Sequence, residues 1–298
     1  MNGNRRNPGG ASERAERLNA RLAACDLCPR LCRVNRRAGE VGFCRVGEDA
    51  PVASFGPHFG EEAPLVGYRG SGTVFFSGCN LMCVFCQNFG ISRFEEGTGV
   101  SGEGLAAIFL SIQAAGCHNL NLVTPTHVTH RVAEALSLAV PGGLSIPVVY
   151  NCGGYESVEI LKELEGLVDI YMPDVKFLDE ESAARYCDAP DYPEVVRAAV
   201  REMARQVGPL AVDRRGIAAR GLLVRHLVMP GDGPATRKVI DFLAEEIGKD
   251  TFLNLMDQYR PCGRALEYAE IGRRTTSEEW REAMEYARER GLSRLDGE

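Results

Sequence analysis

TVFFSGCNLMCVFCQN, residues 73–88, decides how the rest of the chain is read. Thr73 to Phe76 is a short run of apolar, aromatic and β-branched residues, the composition of a buried strand. It ends on Ser77-Gly78, a turn signal. Cys79, Cys83 and Cys86 follow at once in a Cys-x3-Cys-x2-Cys pattern. Thiolates hold iron–sulfur clusters, and three on one loop can converge on a single cluster. A cubane has four irons, so three protein thiolates leave one iron open to chelate another molecule. A closed structural zinc site would want a fourth protein ligand, and this loop has none.

Downstream, apolar strands alternate with stretches of helical periodicity. NLNLVT (119–124), IPVVYN (146–151), VDIYMPDVK (168–176), GLLVRHLVMPG (221–231) and FLNLMDQY (252–259) read as strands. Residues 104–116, 127–140, 156–166, 179–187, 192–207, 235–248 and 277–290 read as helices, several closed by Gly or Pro. Six strands separated by helices imply parallel β/α units with right-handed crossovers. The expected fold is α/β, a partial (β/α)6 barrel over 71–261 with a helical extension over 262–298. Functional residues of such folds gather at the carboxyl ends of the strands.

Upstream, residues 11–24 read as a helix leading into Cys25, Cys28, Cys32 and Cys44, spaced Cys-x2-Cys-x3-Cys-x11-Cys. Four thiolates among glycine turns make a closed metal site, either structural zinc or an auxiliary iron–sulfur cluster. The spacing does not separate the two, and a purely structural metal is slightly favoured. Residues 45–70 read as irregular or hairpin-like, and 1–70 is taken as one N-terminal module. Its interleaved arginines read as a solvated basic face.

The bulk numbers agree with an ordinary globular protein. The chain has 298 residues, 45% hydrophobic and 25% charged, with a formal charge of −7. That acidity argues against broad nucleic-acid binding. The Arg-rich start lacks a signal peptide's apolar core, and no run approaches the roughly 18 apolar residues of a membrane helix, so a cytoplasmic protein is expected. In a reducing cytosol the eleven cysteines are better explained by metal than by disulfides.

The cysteine loop resembles the signature of the radical S-adenosylmethionine (SAM) superfamily. CDLCPRLCRVNRRAGEVGFC, FFSGCNLMCVFCQN, VTPTH, VVYNCGGY, DIYMPDVKF and VRHLVMPG resemble, within it, the pyruvate formate-lyase activating enzyme group and an uncharacterised activating-enzyme-like subgroup. The resemblance implies a 4Fe–4S cluster on Cys79, Cys83 and Cys86 whose open iron chelates SAM. It implies reductive cleavage of SAM to a 5′-deoxyadenosyl radical, which abstracts a substrate hydrogen atom. A reduced flavodoxin- or ferredoxin-type protein would supply the electron.

The same resemblance marks cofactor-binding candidates. Phe85 matches the aromatic position against the adenine, and Gln87 follows the last cysteine. Asp174 and Lys176 match an Asp-x-Lys near the SAM carboxylate and ribose. Asn151 is a ribose ligand candidate. Arg225 and His226 alternate along a strand, so only one of them can point inward. Two departures stand out. The family's Gly-Gly-Glu is replaced here by Thr124-Pro125-Thr126, and its late histidine by Gln258-Tyr259, so Thr124 or Thr126, and Gln258 or Tyr259, are the expected substitutes. Cys117, Cys152, Cys187 and Cys262 read as structural. Three functions stay open: activation of a glycyl radical enzyme, modification of another peptide or small metabolite, and a non-catalytic zinc or iron–sulfur adaptor.

Overall fold

A computed structural model describes residues 10–93, 96–231 and 233–296. The first residues of the Arg-rich start lie outside the described residues. The described residues form an α/β fold of ten strands and ten α-helices, with the strands in a mixed, unclosed sheet. The strands are β1 (Ala50–His58), β2 (Ser71–Phe76), β3 (Thr98–Val100), β4 (Leu120–Val123), β5 (Val148–Cys152), β6 (Ile170–Pro173), β7 (Ala211–Val212), β8 (Ala218–Leu227), β9 (Phe252–Met256) and β10 (Arg294–Leu295). Their order is β10-β9-β8-β6-β5-β4-β2-β1-β3, with β7 paired to β8. The six strands expected from sequence are β2, β4, β5, β6, β8 and β9, all parallel and adjacent in chain order.

Two features were not legible. The stretch read as irregular or hairpin-like holds a nine-residue strand, β1, antiparallel to β2 and carrying β3 on its far side. Residues 50–58, within the stretch taken as the N-terminal module, therefore belong to the main sheet. Between β1 and β2 sits the short α2 (Ala63–Val66). At the other edge, β10 adds a parallel strand to β9.

Helices α1 (Ala11–Ala20), α4 (Gly102–Ala114), α5 (Thr129–Ala139), α6 (Val158–Glu163), α8 (Tyr192–Val207), α9 (Gly233–Phe242) and α10 (Ser277–Glu289) pack in pairs, α1 and α4 on α5, α6 on α8, and α9 on α10. Two shorter ones, α3 (Phe89–Arg93) and α7 (Glu180–Cys187), flank the cysteine loop in space. The caps explain several boundaries. Ser101 accepts from Gly104 N–H at the start of α4, and Thr276 with Glu279 forms a capping box on α10. Among the described residues no helix is long and apolar enough to cross a membrane.

Period-two alternation sorts the strand residues between two faces. Tyr150, Cys152, Tyr171, Leu222 and Val224 join the core under the helices. Val149, Ile170, Met172 and Leu223 face the other way and pack with Leu65 of α2. Continuing the alternation puts Asn151, Asp174 and Arg225 on the α2 face, beyond this small apolar layer.

Candidate functional site

The cysteine loop leaves the carboxyl end of β2 and is tied down on every side. Met82 and Val84 N–H donate to Cys187 and Tyr186 carbonyls at 3.0 and 2.9 Å. Asn80 donates to the Tyr155 carbonyl at 2.7 Å, and Arg30 donates to the Asn80 carbonyl at 2.8 Å. Gly78, with φ +82°, is the pivot. A Cβ there would stand 2.7 Å from the Cys44 carbonyl oxygen and 3.3 Å from His127 Nε2, so only glycine fits. His127 is buried and neutral, pushed down to about 4 by burial. Its Nε2 lies 2.7 Å from the Ser77 carbonyl, so that nitrogen carries the proton and donates.

The three loop thiols crowd one another. Burial and then the Cys83 charge push Cys86 up, and burial followed by Cys83 pushes Cys79 up to about 12. Cys83 moves the other way, to about 7, through a hydrogen bond from Cys187, with Lys176 adding to the shift. The two sulfurs are 3.4 Å apart. Cys187, at the end of α7, was read as a scattered structural residue; it touches the loop instead. Among the described residues no group of three or more His, Cys, Asp or Glu side chains is placed to hold a metal ion outright. What fits a cluster is the donor set: three mutually repelling, water-poor thiols on one loop, ionisable together only beside a cation.

Arg225 draws the strand ends together. Its Nε donates to Asp174 Oδ1 at 2.7 Å, one terminal nitrogen to Asn151 Oδ1 at 2.7 Å, and the other to Glu61 Oε2 at 3.2 Å. Lys176 Nζ donates to Asp174 Oδ2 at 3.1 Å. Burial alone would raise the Asp174 carboxyl, but Arg225 and Lys176 outweigh it and hold it at about 2. Burial disfavours the Lys176 ammonium, and Asp174, then Cys83, more than restore it. His226 points the opposite way, between the Val175 carbonyl at 2.7 Å and Thr236 Oγ1 of α9 at 3.0 Å, so Arg225 is the inward residue of the pair.

Two further residues escaped the sequence reading. Glu61 reaches Arg225 across 164 positions. Tyr192, fully buried at the start of α8, accepts from Lys176 N–H at 3.0 Å and reaches the Gly153 and Asp174 carbonyls at 2.8 Å each. Gly154 makes room for this, since a Cβ there would stand 2.9 Å from the Asp174 carbonyl.

The other candidates scatter. Thr126 is buried and donates at 2.5 Å to Glu156, which burial pushes up to about 7. Thr124 closes β4 with φ +59°, a left-handed strain of about 1–3 kcal/mol for a β-branched residue. Phe85 is enclosed, edge-on to Phe177 at 6.0 Å and tilted on Tyr259 at 6.4 Å. Gln87 and Gln258 are exposed, and Gln258 lines a cavity shared with Arg225. Cys152 is buried under the helices.

The arginine knot yields a direct expectation. Arg225→Met strips the buried carboxylates of a partner, and such removals cost about 3–5 kcal/mol. The urea midpoint of the purified protein should fall accordingly, and Arg225→Lys, which cannot fork to three acceptors, should recover only part. An unchanged midpoint in Arg225→Met would show that the knot contributes nothing to stability.

Cys25, Cys28, Cys32 and Cys44 line one small enclosure with Arg36 and His127. Leu31, Arg33 and Arg45, each beside one of these cysteines, all have left-handed backbones. Three such conformations in one short module persist only where something else holds them. Arg36 is 2% exposed, yet among the described residues its guanidinium meets only the Gly47 and His127 carbonyls and, at 3.8 Å, Cys25 Sγ. A buried cation without a carboxylate partner fits a net-negative four-thiolate metal centre.

No known protein-family profile matches the chain. Uncharacterized protein MJ0674 of Methanocaldococcus jannaschii is 32% identical to it over 275 residues, 90% of this chain and 75% of the archaeal one. With that identity sustained over nearly its whole length, the chain belongs to the same family as this archaeal protein.

Proposed function

We propose that the chain is a radical SAM enzyme, an oxidoreductase in which Cys79, Cys83 and Cys86 hold a 4Fe–4S cluster and SAM binds over the neighbouring strand ends. The observation that carries this reading is one loop of three crowded thiols at the end of β2, with the Lys176 ammonium felt at Cys83. A partial (β/α)6 barrel is the finer fold that goes with it. In its favour, residues 61–65 touch β8 through Glu61, β9 through Glu62 and β5 and β6 through Leu65, as a plug inside a curved sheet would.

When bound, the cluster would supply the electron that cleaves SAM and so generates the radical that takes a substrate hydrogen atom. The chain's own residues would do the positioning. Lys176 offers an ammonium to the SAM carboxylate, and Asp174 holds that ammonium in place. Arg225 fixes Asp174 and presents Asn151, whose amide can meet a ribose hydroxyl. Tyr192 anchors the Lys176 backbone. Phe85, Phe177 and Tyr259 keep water from the loop's inner side. Activation of a glycyl radical enzyme is one activity this chemistry serves, and modification of another peptide or metabolite is a second. A flavodoxin- or ferredoxin-type donor would feed the cluster.

Anaerobic reconstitution with iron and sulfide, followed by SAM and dithionite, is expected to yield 5′-deoxyadenosine and methionine in equal amounts. A protein that carries the spectroscopic signature of a reducible cluster and still leaves SAM intact would overturn the reading.

A further inference from the structure

Beside Arg225 opens a cavity of about 550 Å³. Four carboxylates line it, Glu61, Glu62, Asp257 and Asp296, against the single guanidinium of Arg225. That guanidinium pairs with Glu61 at 3.2 Å and with Asp174 at 2.7 Å, so within the cavity it offsets one carboxylate and leaves Glu62, Asp257 and Asp296. Glu62 is the most telling member. It is 5% exposed, and its Oε1 accepts from Asn254 at 2.9 Å. Its Oε2 is buried without a hydrogen-bond partner among the described residues. An orphaned buried acceptor costs about 1–3 kcal/mol, and more when charged, unless a donor reaches it. Burial pushes the Glu61 carboxyl up, and burial followed by Glu62 pushes Asp296 up, as expected of acids crowded together.

The remaining walls select the kind of cation. Leu255, Met256 and the indole of Trp280 line it as well, beside Gly60, Asn254 and Gln258, and Trp280 Nε1 donates to the Leu255 carbonyl at 2.6 Å, which fixes the ring against β9. A divalent metal ion wants oxygen on all sides. An ammonium or guanidinium on a methylene stem wants carboxylates at its tip, apolar surface along its length and an aromatic face nearby.

We infer that this cavity receives an organic cation on an alkyl stem, an ammonium or guanidinium, as part of the substrate. The word substrate rests on the enzyme reading above, whereas the binding site stands without it. Arg225 is shared by the cavity and the Asp174–Lys176 group, so a molecule seated by its cationic end is held next to the proposed reaction centre.

The chain has one tryptophan, so its fluorescence reports this cavity directly. The full-length protein, at fixed low ionic strength, is titrated with Nα-acetyl-lysine amide, spermidine, Nα-acetyl-norleucine amide and magnesium chloride. Both amines should change the Trp280 emission saturably, and the neutral norleucine compound and magnesium should not. Asp257→Asn with Asp296→Asn should weaken amine binding about tenfold, the sum of two half-exposed charge contacts. Tighter binding of the lysine compound assigns the group to a peptide, and tighter binding of spermidine to a free polyamine; either supports the inference. It is overturned by an absence of saturable amine binding, by equal binding of norleucine, by amine affinity undiminished in the double variant, or by a magnesium response that the double variant abolishes. The titration needs no iron, SAM or reductant, so its failure leaves SAM cleavage untouched, and a failure of SAM cleavage leaves the binding result standing.

Discussion

Cys83→Ala should reduce 5′-deoxyadenosine formation by more than a hundredfold and empty the loop of iron. Cys83 is the middle thiol of its loop, 8% exposed, with its neighbours on both sides raised by its charge. Two thiolates cannot retain a cubane that three barely close, so the loss is of the cluster itself and not of a rate constant. Iron counted per chain and the visible absorbance of the cluster should fall together with activity. Cys187→Ser is the companion measurement. Its sulfur lies 3.4 Å from that of Cys83, close enough to be a rival ligand. The loop assignment expects iron near the wild-type level in Cys187→Ser. Iron retained by Cys83→Ala but lost in Cys187→Ser would transfer the ligand role to α7.

The second large effect concerns the N-terminal thiols. Replacing Cys25, Cys28, Cys32 and Cys44 together by alanine should remove a metal complement, read by elemental analysis as zinc or iron. It should also lower the melting temperature by roughly 10 °C, the size expected when a chain of this length loses several kcal/mol. Part of that loss comes from Arg36, whose guanidinium would stay buried among carbonyls with no counter-charge. The two changes are therefore coupled. Arg36→Met should destabilise the protein when the thiols are present and stabilise it when they are absent, because removing an unpaired buried charge is favourable. A thermal-melt cycle over the four proteins measures this directly, and additive shifts would dismiss the counter-charge argument.

The parts of the fold that were legible are those carried by local pattern. Parallel strands buried on both faces read as nearly continuous apolar runs, and VVYN, DIYMP and GLLV each did so. Asp174 and Lys176 were marked by the family resemblance at the end of such a run, and Asn151 lies within the VVYN run itself. The alternation rule narrowed Arg225 and His226 to one inward residue, and only the packing of His226 on Thr236 decided which. What could not be read was contact across long separations. Glu61 meets a strand more than half the chain away, Cys187 meets Cys83 across 104 positions, and Tyr192 looks in sequence like any apolar helix start. Thr126 shows the converse. Its place after β4 marked it for a ligand, but a buried carboxylate on the next β/α unit claims its hydroxyl.

Gly78 carries a last implication, for how the N-terminal module and the cysteine loop depend on each other. The face that would clash with any side chain there is built from the Cys44 carbonyl, Val46 and His127. His127 in turn takes one of the few bonds offered by Arg36. The wall behind the cysteine loop is thus built in part from the N-terminal module, through Cys44 and Val46. Disturbing the outer thiols should therefore be felt at the Cys79–Cys86 loop as well, through the contact at Gly78.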